Sequence, residues 1–187
     1  MVSFCTACGT PLSSSEKFCR KCGAQTASPS TSDFSFTINV AITRGERRDG
    51  VGVRLSSSDE GTQGIYAMMF TTGTGYVGEN NVGSYSVYTL PAQANGTTQP
   101  STLIERTETQ VLHPDGVQNE ITLVKKGSNL ALILNRVVVN TFSDDNVGSS
   151  YISLFLCHLG TDIESSAIVK SVKLTSAPDQ LPQPSQR

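Results

Sequence analysis

The chain has 187 residues with 14 Lys and Arg against 16 Asp and Glu, a formal net charge of −2, so no global field draws it to nucleic acid or to an anionic membrane. Only 16% of residues are charged and there is no Trp; Ser, Thr, Gly and Asn fill in, the composition of a sheet protein with many turns. No apolar run approaches the roughly 18 residues that span a bilayer, and no apolar h-region opens the chain, so the cytoplasm is the expected compartment.

The chain opens on FCTACGTPLSSSEKFCRKCG, which holds four of the five cysteines as two Cys-x-x-Cys pairs. Cys5 and Cys8 form the first, Cys19 and Cys22 the second, and Gly9 and Gly23 follow them. Each pair makes a tight turn that aims backbone N–H groups at a thiolate, with the glycine free to take positive φ. Four sulfurs so placed close a tetrahedron suited to Zn²⁺. The spacer between the pairs allows one short hairpin, with Pro11 and Ser13 to Ser15 at its turn. Disulfides within such pairs are strained and need an oxidising compartment. A redox role would call for a βαβ setting that is missing here.

These residues resemble the short bacterial and archaeal zinc-ribbon module, of the form CxxCGxxL…FCxxCG. Cys5, Cys8, Gly9, Leu12, Phe18, Cys19, Cys22 and Gly23 fall on that pattern. The resemblance implies a structural Zn²⁺ with no catalytic role, since four protein ligands leave no position open for water. Lys17, Arg20 and Lys21 raise the alternative of a nucleic-acid-binding ribbon. Against it, four thiolates offset most of their charge, and the footprint is small.

Four segments follow from the composition. Residues 1–24 are the ribbon, and 25–33 a Ser/Thr/Pro linker. Residues 34–175 are an all-β body, and 176–187 a disordered polar tail with three prolines. In the body, Phe34, Phe36, Ile38, Val40 and Ile42 alternate with small polar residues, as a strand with one buried face does. Val51, Val53 and Leu55 repeat the pattern. IYAMMF within residues 64–72 reads as a strand covered on both faces. Further strands are expected at 84–90, 102–108, 119–124, 129–134, 137–142, 151–158 and 167–174. Tight turns are expected at Lys125 to Ser128 and at Asn135–Arg136. No window has a 3.6-residue period, and so many short strands point to a two-sheet antiparallel β-sandwich.

NEITLVKKGSNLALILNRVVVNTFSD and SSYISLFLCHLGTDIESSAIVKSVKL resemble the C-terminal half of concanavalin A-like jelly rolls, a superfamily that includes laminin-G-like, pentraxin-like and sugar-binding domains and glucanases. GVGVRLSSSDEGTQGIYAMMF fits an upstream hairpin of the same superfamily. Gln118 stands where that superfamily often has Trp. The resemblance implies a jelly-roll fold far more than a function.

Chemistry in the body is sparse. A glycan hydrolase or lyase needs two carboxylates converging across the scissile bond. Asp162 and Glu164 alternate onto one face, but no third acid follows; Asp59 and Glu60 are adjacent and point apart. Asp144, Asp145 and Asn146 form an acidic cluster with oxygen ligands of the kind Ca²⁺ takes, though three neighbours fall short of its six to eight. Tyr66, Tyr88 and Tyr151 sit in apolar strands and are assigned to the core. Tyr76, in the Gly-rich TTGTGYVGENN, is a candidate loop ligand. Cys157 reads as a core thiol, facing away from its neighbour His158. The expectation is a non-enzymatic scaffold: a structural zinc ribbon on a sandwich that binds a protein or glycan. Cys5, Cys8, Cys19 and Cys22 are the metal ligands, and Tyr76, Asp144 and Asp145 the candidate ligand contacts. A divergent glycan hydrolase or lyase, and a nucleic-acid-binding ribbon, are the alternatives.

Overall fold

Alternation of apolar and small polar residues dictates the architecture, because successive strand side chains point to opposite faces. The structure is a computed structural model that describes residues 3–4, 10–12, 21, 33–44, 50–56, 64–70, 83–90, 101–144, 151–157 and 166–184. No helix occurs among them, so none is long and apolar enough to cross a membrane.

Two short strands, β1 (Ser3–Phe4) and β2 (Pro11–Leu12), pair antiparallel with Ser3 opposite Leu12 and Phe4 opposite Pro11. The first cysteine pair therefore falls in the connection between them. Pro11 stands in a strand, not in a turn between the two cysteine pairs. A two-stranded ribbon has only edges, where a residue lacking N–H is tolerated.

Ten further strands make the body: β3 (Phe34–Arg44), β4 (Gly50–Ser56), β5 (Gly64–Phe70), β6 (Gly83–Leu90), β7 (Ser101–Thr109), β8 (Asn119–Lys126), β9 (Asn129–Leu134), β10 (Val137–Ser143), β11 (Tyr151–Cys157) and β12 (Ser166–Ser176). They form two five-stranded antiparallel sheets. The first sheet has the order β11-β4-β5-β6-β7, the second β10-β9-β8-β3-β12. IYAMMF lies in β5, the central strand of the first sheet, and the weakest sequence pattern became the edge strand β7.

The core lies between the sheets. Phe36, Ile38, Val40 and Ile42 of β3, Ile121 and Leu123 of β8, and Leu130, Leu132 and Leu134 of β9 pack against Val51, Val53 and Leu55 of β4, Ile65 of β5, and Tyr85 and Val87 of β6. Each fully buried aliphatic side chain contributes about 1.5–3 kcal/mol through area removed from water. The Tyr85 hydroxyl crosses the interface and donates to the Val139 carbonyl at 3.1 Å. Val139 sits at a register shift between Val138 and Asn140 in β10.

Two turns set the register of the β8–β9–β10 meander. Lys126 pairs with Asn129, so Lys125 and Lys126 belong to β8 and the turn is Gly127–Ser128 alone, with Gly127 at φ 59°. Asn135 (φ 47°) and Arg136 (φ 68°) form the second turn, whose paired positive φ values match the twist of a two-residue hairpin. The Asn135 side chain is fixed on both sides: Nδ2 donates to the Val111 carbonyl and to Asn119 Oδ1, and Oδ1 accepts from the Glu120 N–H. Asn119, fully buried, in turn caps the 113–117 loop through the His113 N–H and the His113 carbonyl.

Ser176, read as the first tail residue, is the last of β12 and pairs with Phe34 of β3. Beyond it, Lys126 Nζ donates to the Pro178 carbonyl at 3.0 Å and also to the Asp179 carbonyl. The stretch read as disordered thus crosses from β12 past β3 to β8.

Candidate functional site

The sequence placed its one metal site at Cys5, Cys8, Cys19 and Cys22, which lie outside the described residues, as do Tyr76 and Asp145. The donor set fits Zn²⁺, since four thiolates at this spacing supply the soft tetrahedral shell it takes. The β1–β2 ladder fits too, bringing the chain together on both sides of Cys5 and Cys8. Asp144 follows β10, and its N–H donates to the Ser128 carbonyl at 2.9 Å, beside the Gly127–Ser128 turn. Among the described residues no group of three or more His, Cys, Asp or Glu is arranged to hold a metal.

The outer face of the first sheet is chemically distinctive. Strand partners directly opposite one another share a face. With Val51, Val53 and Leu55 turned into the core, β4 turns Gly50, Gly52, Arg54 and Ser56 outward. All four are buried, Arg54 at 7% exposure and Ser56 at 0%. Arg54 Nε donates to Ser153 Oγ of β11 at 3.0 Å. On β6, with Tyr85 and Val87 inward, Ser84, Ser86 and Tyr88 face outward. Arg106 Nε of β7 donates to Ser84 Oγ at 2.7 Å. Ser153, Arg54 and Tyr88 stand in one cross-strand row through the Tyr66 position, and Phe155, Gly52 and Ser86 in the next through Met68.

Tyr88 therefore does not belong to the core, where the sequence put it. It is half-buried on the opposite face, and Tyr85 is the core tyrosine at 4% exposure. An alternating strand fixes which residues share a face but not which face is buried.

Two arginines on this face are held side-on by serines. Ser86 Oγ is buried with no hydrogen-bond partner among the described protein groups. A buried hydroxyl left unpaired costs about 1–3 kcal/mol, so its place on a polar face marks a site able to take a ligand acceptor or donor. Guanidinium and hydroxyl donors with a half-buried aromatic are the groups that orient a polyhydroxylated ligand.

Residues 4–26 match the zinc-ribbon domain family. No curated protein matches the chain. Among solved structures, the body resembles the carbohydrate binding module CBM66 from Bacillus subtilis at 15% identity and a TM-score of 0.54, over 78% of this chain and 76% of that one. It also resembles a mutant of the GH43 protein BlXynB from Bacillus licheniformis, at 8% identity and a TM-score of 0.54, over 78% of this chain but 28% of that one. Sheep galectin-11 aligns at 11% identity with a TM-score of 0.42, over 78% of this chain and 91% of that one. The chain thus joins a zinc-ribbon segment to an all-β jelly-roll sandwich. Similarity at this identity speaks to fold alone.

Proposed function

We propose that the protein is a non-catalytic binding protein whose sandwich presents the outer face of the first sheet to a glycan, while the N-terminal ribbon holds Zn²⁺ as a structural module. The observation that carries this reading is the set of Arg54, Ser84, Ser86 and Arg106 on one face of the sheet with Tyr88 beside it. The carbohydrate-binding module that shares the fold supports a glycan as ligand, and a protein ligand is the other form of the same reading. Zinc thiolate ligation by Cys5, Cys8, Cys19 and Cys22 suits a reducing compartment, the cytoplasm.

A glycan array probed with the full chain tests it, repeated with Ser86→Ala and Arg54→Ala. Ser86→Ala removes an unpartnered hydroxyl, so the fold is retained and weaker glycan binding reads the site directly. Arrays without hits end the glycan form, and a partner captured equally by all three chains removes this face from the interface. The hydrolase alternative needs a carboxylate pair at the face, and Asp162 and Glu164 lie outside the described residues. Reducing sugar released from a bound glycan would favour it over plain binding.

A further inference from the structure

The second sheet has an outer face with its own anomaly. Core-facing residues of β8 and β9 are Ile121, Leu123, Leu130, Leu132 and Leu134. Val124 and Ala131 alternate with these, so they point away from the core and stand opposite one another in the ladder. They are nonetheless buried, at 2% and 0% exposure. Neither belongs to the inter-sheet core cluster. Nearby, Lys126, Asn129, Thr141, Phe142 and Ser143 of the sheet line an open groove together with Leu181 and Gln183. Of the sheet residues, all but Phe142 occupy outward positions of β8, β9 and β10.

The segment at the groove is APDQLPQP, residues 177–184. Its three prolines lack N–H groups and favour an extended backbone with exposed carbonyls. The contacts match that chemistry. Lys126 Nζ takes two successive carbonyls, those of Pro178 and Asp179, and Leu181 lies half-buried in the groove. A cation that takes successive main-chain carbonyls suits an extended, proline-containing segment, whose backbone makes no internal hydrogen bonds.

We propose that this outer face of the second sheet is a docking groove for an extended, proline-bracketed peptide, with residues 177–184 of the same chain as its resident occupant. Lys126 anchors the backbone, and Leu181 with Gln183 walls the groove opposite Lys126, Asn129, Thr141 and Ser143. The segment joins the sandwich only through Ser176, so it can leave without breaking a strand. Its release uncovers the groove for the same segment of a second copy. This surface lies on the opposite side of the sandwich from the proposed glycan face and stands independently of it.

Backbone ¹⁵N relaxation on the full-length chain tests the anchor. Lys126→Ala and Leu181→Asp are expected to drop the heteronuclear NOE of residues 179, 180, 181 and 183 to that of a free tail, with β3 and β8 unchanged. A chain ending at Ser176 then tests the groove, with a synthetic peptide of residues 177–187 as the probe. The shortened chain is expected to bind the peptide at least tenfold more tightly than the full chain does, and Lys126→Ala in the shortened chain should abolish that gain. Unaltered relaxation in both full-length variants overturns the proposal even if the shortened chain fails to fold. So does a folded shortened chain that ignores the peptide at millimolar concentration.

Discussion

Tyr85 of the first sheet and Val139 of the second are joined by a hydrogen bond from the phenol to the main-chain carbonyl, 3.1 Å long, at the β10 bulge. A bulge leaves one residue out of the ladder, and here a side chain from the facing sheet meets that residue's carbonyl. Tyr85→Phe keeps the ring in the core and removes only the donor. The expected cost is about 1 kcal/mol, read as a lower midpoint in urea with an unchanged m-value. A cost near zero would mean that the carbonyl finds another partner.

Arg136 holds φ 68° in the two-residue turn after β9, and its side chain reaches Glu120 only at 4.0 Å while 88% exposed. Such a contact contributes little, whereas a non-glycine residue in the left-handed region costs roughly 1–2 kcal/mol. Arg136→Gly is therefore expected to stabilise the sandwich by about 1 kcal/mol, visible in thermal unfolding. Asn135→Gly should do the opposite, because that side chain holds Val111, Asn119 and Glu120 together.

Lys125 lies on the core-facing side of β8, opposite Phe34 and Leu130, and is 2% exposed. Burial pushes its ammonium below the ordinary 10.5, with nearby Asp33 acting in the other direction. The folded chain thus releases this proton at a lower pH than the unfolded chain. Between that lowered value and 10.5 the unfolded state binds more protons, so stability from this group rises with pH, and below the window the cost of the buried charge is fully present. Lys125→Met is expected to be the more stable chain at neutral pH, with its advantage shrinking as pH climbs through the window. Unfolding free energies of both chains from pH 7 to 10.5 check this, and a constant difference would refute it.

Metal analysis of the purified chain is expected to give one Zn²⁺ per chain, retained through gel filtration. Cys5→Ser with Cys22→Ser should lose it. Chelation should leave the unfolding transition of the sandwich in place, since the residues matched to the ribbon, 4–26, precede its first strand at Phe34.

The strands were legible because alternation is a local property. Phe34 to Ile42 and Val51 to Leu55 state their period without reference to anything distant. The faces were less legible. Tyr88 lies in a run whose parity is plain and whose phase is not, because phase depends on which side another sheet covers. Arg54 and Ser86 gave no signal at all: a lone arginine and a serine in strands become a site only when β4, β6, β7 and β11 align their outward positions. Residues 177–184 gave no signal for a related reason. Proline and glutamine describe a segment that makes no structure by itself, and its order comes from Lys126, more than 50 residues earlier.

The pairing of β3 with β12 has a consequence for synthesis. Asn39 Nδ2 donates to Ser171 Oγ across 132 residues of sequence, so the first strand of the sandwich meets this neighbour only after those intervening residues have been made. At about 5–20 residues per second, β3 waits on the order of ten seconds with one edge unpaired. The matched ribbon, finished by residue 26, has its cysteines in hand throughout that interval. A metal taken by those cysteines would be loaded before the sheets close, and the slow step in maturation falls to the long-range β3–β12 ladder.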